Sequence, residues 1–225
     1  MFVRTYGCNL HCTWCDTAYT WADTDNKAAQ TESGIKYDRN EPVYGLKEMH
    51  PITVLNELCA IWPIRTRPTL IVISGGEPML QQTQLAPLLE QLDMYGNQMH
   101  IETAGTLSPN LGFDKYVTQY NVSPKLQHSG NPGTLRYRPR VLKDLNGTGK
   151  ARFKFVARAK SDLDEVRRIV KEIEIDSSNV MIMPEGTTAE NNAQVARDIA
   201  NAALHEGWGI SMRLHVLLWP NDKDM

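Results

Sequence analysis

Short apolar runs alternate along the chain with longer segments of helical periodicity. Runs rich in branched apolar side chains predict buried, extended strands. Six such runs cover residues 2–6, 70–73, 99–102, 116–122, 153–156 and 180–183. A further extended segment is expected at residues 209–219, where it would close the chain. Strands that alternate with helices are typical of a parallel sheet, so the pattern predicts an α/β fold.

Apolar residues recur at intervals of three and four positions in four other segments, which predicts amphipathic helices. Their expected apolar faces are Ile52, Leu55, Cys59 and Trp62; Leu85, Leu88, Leu89 and Leu92; Leu163, Val166, Ile169, Val170 and Ile173; and Val195, Ile199, Ala203 and Leu204. Thr83 and Ser161 suit N-caps, and Gly207 suits a C-cap. Residues 22–50 are polar and aperiodic, and residues 129–149 are rich in Gly, Pro, Asn and Arg, so both are predicted to be long loops.

Length and composition favour one domain covering residues 1–225, since 41% of the 225 residues are apolar. The net charge of -2 argues against a nucleic-acid partner or an anionic membrane surface, because both favour a positive surface. Chemistry on a small molecule is therefore expected. No run approaches the roughly 20 apolar residues of a membrane span. Residues 1–6 contain no signal-peptide hydrophobic region, so we expect a cytoplasmic protein.

One stretch departs from this overall acidity. Residues 136–158 contain eight basic side chains and one acidic side chain. Direct nucleic-acid binding is the first interpretation, but the overall charge and the buried strand predicted inside the stretch favour a solvated basic face. A docking patch for an acidic, flavodoxin-type electron donor is a third interpretation.

Three of the four cysteines, Cys8, Cys12 and Cys15, lie in one short loop directly after the first predicted strand. In a reducing compartment such clustering indicates metal binding. Iron–sulfur clusters are held by thiolates, and a loop that supplies three leaves one iron atom with an open position. The alternative is a noncatalytic zinc-binding interaction module, but a closed zinc site needs four ligands and His11 lies inside the loop. Cys59 is expected in the core.

The cysteine spacing, with Trp14 before the last cysteine, resembles the radical S-adenosylmethionine superfamily. The sequence Ser74-Gly75-Gly76-Glu77-Pro78 resembles the Gly-Gly-Glu-Pro turn of that superfamily, which meets the amino end of the methionyl group. The chemistry agrees, because glycines let a backbone approach a ligand closely and Glu77 offers a carboxylate to an ammonium group.

Three further runs resemble the 7-carboxy-7-deazaguanine synthase family: Cys15-Asp16-Thr17-Ala18-Tyr19-Thr20-Trp21, Ile101-Glu102-Thr103 and Val122-Ser123-Pro124-Lys125. The resemblance covers residues 2–219 and implies a contracted partial (β/α) barrel of about six parallel strands with fewer helices. The implied reaction converts 6-carboxy-5,6,7,8-tetrahydropterin to 7-carboxy-7-deazaguanine with loss of ammonia, in 7-deazapurine biosynthesis. A glycyl-radical activase shares the cysteine loop, but the run from Cys15 to Trp21 disfavours it.

The resemblance also implies roles for single residues. The 4Fe-4S ligands would be Cys8, Cys12 and Cys15, and Thr17 would bind Mg2+, a hard cation that prefers oxygen. The S-adenosylmethionine contacts would be Trp14, Asp16, Gly76, Glu77, Glu102, Ser123 and Lys125. The pterin contacts would be Arg4, Ser74 and His215, with a satisfied core histidine as the alternative for His215. No protein acid or base is expected to be catalytic, and a homodimer is implied.

The sequence departs from the family at its start. Family members carry a Gln-Gly-Glu-Gly stretch that contacts the pterin upstream of the cysteines, whereas here Met1 lies seven positions before Cys8. Either the reading frame is naturally longer, or Arg4, Ser74 and His215 hold the pterin without that stretch. We expect the first, because a buried charged substrate needs its polar partners satisfied.

Overall fold

The computed structural model describes residues 1–22 and 47–218. In that part of the chain seven strands form one sheet, all parallel and in chain order. They are β1 (Phe2–Thr5), β2 (Leu70–Gly75), β3 (Gln98–Thr103), β4 (Gln119–Val122), β5 (Ala151–Ala157), β6 (Val180–Pro184) and β7 (Gly209–Ile210). The predicted α/β class is confirmed.

Helices connect the successive strands, as parallel pairing requires, and a last helix follows β7. They are α1 (Pro51–Ile61), α2 (Gln82–Met94), α3 (Leu111–Asp114), α4 (Gly133–Arg136), α5 (Pro139–Gly147), α6 (Asp162–Ile173), α7 (Ala189–His205) and α8 (Leu214–Leu218). Among the residues described, no helix is both long enough and apolar enough to cross a membrane.

The two faces of the sheet differ in chemistry because successive strand residues point to opposite sides. One face packs against the helices and is mainly apolar, with Ile71, Ile73, Met99, Ile101, Phe153 and Phe155 all buried. The other face, here called the polar face, carries Arg4, Ser74, Glu102, Asn121 and Lys154. Arg4 pairs in register with Ser74, and Glu102 with Asn121, so these side chains lie side by side.

A contact beyond the edge strands agrees with a curved sheet. In a flat sheet β1 and β7 would lie about 29 Å apart, since neighbouring strands are about 4.8 Å apart. However, Asp16, which follows β1, accepts a hydrogen bond of 2.7 Å from Arg213, which follows β7. The helices cover the apolar face, so the polar face lies on the inside of the partial barrel that the family resemblance implied.

The helical faces predicted for α2 and α6 are confirmed, since every predicted position is buried except Val170, which is half-buried and packs against the core. The face predicted for α1 is confirmed at Leu55 and Cys59 and wrong at Ile52 and Trp62. Leu55 and Leu58 are buried there, while Ile52 and Trp62 are 48% and 45% exposed. Trp62 has an extended backbone beyond the last helical residue, so it does not continue the helical face. Cys59 is half-buried and packs against the core.

The helix ends agree with the sequence in part. Gly207 follows α7 with a φ of 75°, the left-handed conformation expected of a C-cap. Ser161 occupies the N-cap of α6 but makes no capping hydrogen bond through its side chain. The N-cap predicted at Thr83 is wrong, because the 3-10 turn Pro78–Gln81 leads directly into α2 at Gln82. Leu204, placed on the buried face of α7, is 59% exposed.

The loop predicted at residues 129–149 is wrong, because α4 and α5 lie within it. Pro139 occupies the first turn of α5, where its missing N–H costs nothing, and Leu142 and Leu145 are buried on one face. The extended segment predicted at residues 209–219 is also wrong beyond Ile210, since α8 follows. Of the loop predicted at 22–50, residues 23–46 lie outside the described residues, as does position 219.

The burial of α5 yields a stability prediction. We expect Leu145→Ala to lower the free energy of unfolding by about 2–5 kcal/mol, because it opens a cavity in the core. Leu111→Ala is the control, since Leu111 is 88% exposed and its truncation should change stability by less than about 0.5 kcal/mol. Urea unfolding of both variants measures the difference. Equal stabilities would contradict the packing of α5.

Candidate active site

The cysteine loop, residues 7–15, follows β1 and brings three thiols into one small apolar cluster. The pKa of the Cys8 thiol is raised to about 11, mainly because the thiol is buried and in smaller part because Glu77, Cys12 and Cys15 lie near it. Burial also raises the pKa of Cys12. Metal-binding cysteines are thiolates, so binding at this loop must release protons.

Each of the three sulfurs accepts one N–H hydrogen bond. The Leu10 backbone donates to Cys8 Sγ at 3.5 Å, Asn131 Nδ2 donates to Cys12 Sγ at 3.2 Å, and Trp21 Nε1 donates to Cys15 Sγ at 3.2 Å. Hydrogen bonds of this kind are typical of iron–sulfur ligands.

The arrangement of donors fits a 4Fe-4S cluster better than a closed zinc site. Within residues 1–22 and 47–218, no three His, Cys, Asp or Glu side chains converge on one point as a single metal ion would require. A structural zinc ion needs four ligands at about 2.0–2.3 Å. In a 4Fe-4S cluster each cysteine binds a different iron atom, so the sulfurs need not converge.

The start of the loop is fixed to the end of β2. The Glu77 backbone N–H donates to the Gly7 carbonyl at 2.7 Å, and the Gly76 N–H donates to the Thr5 carbonyl at 3.0 Å. The two backbones are so close that a Cβ atom on Gly76 would lie 2.0 Å from the Gly7 oxygen. Only glycine fits at position 76.

Glu77 is fully buried, and its carboxylate has three donors within the protein. Oε1 accepts from the Met79 N–H at 3.1 Å and from Thr103 Oγ1 at 2.8 Å, and Oε2 accepts from the Ala104 N–H at 2.7 Å. Burial raises the pKa of Glu77, while these donors oppose that shift. The carboxylate thus joins β2 to β3, and its contact with an ammonium group stays a prediction. Sequence analysis assigned no role to Thr103.

The middle of the loop is held by residues 128–131, here called the bracing segment. The His11 N–H donates to Asn131 Oδ1 at 2.8 Å, and the Thr13 N–H donates to the Ser129 carbonyl at 3.0 Å. The bracing segment lies after β4 in a stretch without a recognisable motif. The bracing segment was therefore not predicted, and no local pattern in the sequence could have indicated it.

Three predicted S-adenosylmethionine contacts come together beside the loop. Lys125 Nζ lies 5.4 Å from the centre of the Trp14 ring, within cation–π range, and donates to Ser123 Oγ at 3.1 Å. Trp14 Nε1 in turn donates to His128 Nδ1 at 3.1 Å, so the bracing segment also orients the indole. His128 was not predicted as a site residue.

Predicted site residues also meet on the polar face. Arg4 and Ser74 are paired neighbours on β1 and β2, and the Arg4 guanidinium lies 5.9 Å from the centre of the Tyr19 ring. Glu102 lies 3.5 Å from Lys154 Nζ, an ion pair that sequence analysis did not anticipate. The polar face therefore carries both positive and negative side chains, namely Arg4, Lys154 and Glu102.

The remaining predicted residues lie around the end of the loop. Thr17 Oγ1 is 3.7 Å from Cys15 Sγ. Asp16, predicted to contact the cofactor, is ion-paired with Arg213, whose role sequence analysis missed. His215 lies in α8, and its side chain is outside the described residues.

The fold and this site together define a class. A parallel partial barrel whose first strand leads into a three-cysteine loop, with a Gly-Gly-Glu-Pro turn after the second strand, is a radical S-adenosylmethionine enzyme. Its cofactors are a 4Fe-4S cluster and S-adenosylmethionine. A relative from Hyperthermus butylicus, named 7-carboxy-7-deazaguanine synthase, is 32% identical to this chain, and the match covers 97% of this chain and 83% of the relative. A second relative of the same name, from Pyrobaculum aerophilum, is 30% identical, and the match covers 98% of this chain and 86% of the relative. The chain belongs to the 7-carboxy-7-deazaguanine synthase family.

A solved structure supports the fold. The crystal structure of QueE from Escherichia coli matches with a TM-score of 0.65 at 20% identity, covering 94% of this chain and 84% of that one. No family model matches the sequence.

The close approach at Gly76 yields a second prediction. We expect Gly76→Ala to displace the start of the cysteine loop and to reduce the iron content after anaerobic reconstitution severalfold, because the new Cβ collides with backbone. Gly147→Ala is the matched control, since a Cβ there meets nothing within 4 Å. Iron analysis and visible absorption would be compared, and full iron loading of Gly76→Ala would refute the steric argument.

Proposed function

We propose that this chain converts 6-carboxy-5,6,7,8-tetrahydropterin to 7-carboxy-7-deazaguanine, with loss of ammonia. The observation that carries the proposal is the position of the cysteine loop, at the end of the barrel that the polar face lines, in a chain of this family. When bound, the 4Fe-4S cluster and S-adenosylmethionine supply the radical chemistry that starts the reaction. The protein's own residues bind the cluster, S-adenosylmethionine and the pterin, and they orient the pterin.

The proposed division of labour follows the geometry. The cluster is held by Cys8, Cys12 and Cys15. S-adenosylmethionine is bound by the group of Trp14, Ser123 and Lys125, and its further contacts are Asp16, Gly76, Glu77 and Glu102. The ammonium group of Lys125, which lies close to the Trp14 ring, suits a ligand that carries a carboxylate, because the ammonium and the carboxylate can form an ion pair.

The pterin is proposed to bind against the polar face. The Arg4 guanidinium can pair with its carboxylate through two parallel hydrogen bonds, and Ser74 lies beside it in register. His215 is retained as a third proposed contact. Fixing the substrate in this way supplies orientation, which is the main contribution a protein makes when a cofactor performs the chemistry.

We also propose that Thr17 binds Mg2+. Its hydroxyl is a hard oxygen ligand on the chain that follows Cys15, at the same end of the barrel as the thiols. A cation held there would orient the substrate carboxylate and stabilise charge that develops during ring contraction.

The partners are proposals as well. Within residues 136–158 several cations are neutralised, since Arg136 pairs with Glu165 and Lys150 with Asp114, which argues against direct nucleic-acid binding. Arg138, Arg140 and Lys143 are exposed nearby, so an acidic, flavodoxin-type electron donor is proposed to dock there. A cytoplasmic homodimer with a single domain over residues 1–225 completes the proposal.

Anaerobic turnover tests the function. The reconstituted chain with S-adenosylmethionine, a reductant and the pterin should yield 7-carboxy-7-deazaguanine and ammonia in equal amounts. Cys12→Ala should lose the cluster and all activity, whereas Cys59→Ala should keep both, because Cys59 lies on α1 outside the loop. Absence of product from a fully loaded protein would refute the proposed reaction.

Thr17 yields a separate prediction. We expect Thr17→Ala to lose most of the stimulation of turnover by Mg2+ while keeping its iron content and its affinity for S-adenosylmethionine, because the lost oxygen faces the substrate side. Thr118→Ala serves as the control, because Thr118 is an exposed threonine just before the amino end of β4, whereas the cysteine loop follows the carboxyl end of β1. Equal Mg2+ dependence in wild type and Thr17→Ala would rule out the ligand role.

A further inference from the structure

The cysteine loop receives two hydrogen bonds from side chains outside it, and neither side chain has been given a role so far in binding the cluster, the cofactor or the pterin. Asn131 lies 119 positions after Cys12 and is 9% exposed, yet its Nδ2 donates to Cys12 Sγ at 3.2 Å. Trp21 lies six positions after Cys15, and its Nε1 donates to Cys15 Sγ at 3.2 Å. Both donors therefore point at sulfurs proposed to bind iron.

The orientation of the Asn131 amide follows from its surroundings. The His11 backbone N–H, 2.8 Å from the other end of the amide, is only a donor, so the atom that faces it must be Oδ1. The NH2 group is then directed at Cys12 Sγ. Exchanging the two amide ends would bring two donors together and lose both bonds.

The orientation of Trp21 is fixed in a comparable way. Its ring stacks on the His11 imidazole, with 4.6 Å between ring centres and an angle of 17°. The carbonyl of the preceding residue, Thr20, accepts a hydrogen bond of 2.7 Å from the Gly7 N–H. Since an indole N–H can only donate, the contact with Cys15 Sγ has one possible sense.

We propose that Asn131 and Trp21 are positioning residues that raise the reduction potential of the 4Fe-4S cluster. This inference rests on the proposed function only as far as the cluster itself. Reduction adds negative charge that spreads onto the ligand sulfurs, and an N–H dipole directed at a sulfur stabilises that charge. The third donor, the Leu10 backbone N–H at 3.5 Å from Cys8 Sγ, belongs to the loop itself.

A purely structural role would have a different signature. If the two side chains only shaped the loop, their loss would lower iron content or stability and leave the potential of the bound cluster unchanged. If they act on the cluster, the potential moves while the iron content stays. The potential is therefore the measurement that separates the two roles.

Trp21→Phe is the decisive variant, because it removes the indole N–H and keeps an aromatic ring to stack on His11. The full chain, reconstituted anaerobically, would be titrated with a reductant in the absence of pterin and followed by electron paramagnetic resonance. We expect reduction to become about tenfold less favourable, which is about 59 mV more negative for one electron. Trp62→Phe, at the end of α1, is the matched control and should not shift the potential.

Asn131→Ala is the second test variant and should also make the reduction potential more negative. In the double variant the potential should shift by about the sum of the two single shifts, because the two donors act on different sulfurs. Electron–nuclear double resonance on the reduced protein should show an exchangeable proton that Trp21→Phe lacks. A fully loaded Trp21→Phe protein with the wild-type potential would overturn the proposal, as would loss of iron with an unchanged potential of the remaining cluster. Because pterin is absent, failure of turnover would not affect this result.

Discussion

The relative positions of the three sulfurs depend on hydrogen bonds from outside the cysteine loop, because the loop has no helix or strand of its own. The turn after β2 fixes its start at Gly7, the bracing segment fixes its middle, and Trp21 fixes its last sulfur. These elements are distant in sequence. The parallel sheet brings these elements together, because the carboxyl ends of all its strands lie at the same end of the barrel. The geometry of the site therefore depends on the whole barrel.

Local patterns account for the part of this architecture that the sequence could predict. Six strands and the three-cysteine loop are encoded in short runs of the chain, and each could be recognised without its neighbours. Helix α5 was missed because the glycines and arginines around it outweighed a short apolar pair, Leu142 and Leu145. The bracing segment could not be found at all, since Asn131 has a role only through contacts with residues more than a hundred positions away.

Glu77 shows a second limit of sequence reasoning. Its motif indicates a carboxylate near the cofactor, and the chemistry of a carboxylate suggests an ammonium partner. In the structure three donors from β3 and the turn satisfy most of its acceptor sites, so its first effect is to hold two strand ends at a set distance. A residue type shows what chemistry is available at a position, whereas only the fold decides which partner uses it.

The burial of the thiols has a consequence for the protein before it receives its cluster. Oxidants attack the thiolate form of cysteine, and the thiol with its proton reacts slowly. With the pKa of Cys8 raised to about 11, only a minute fraction of that side chain is ionised at neutral pH. The Cys8 thiol is thus a poor target for sulfenic acid and disulfide formation as long as it keeps its proton.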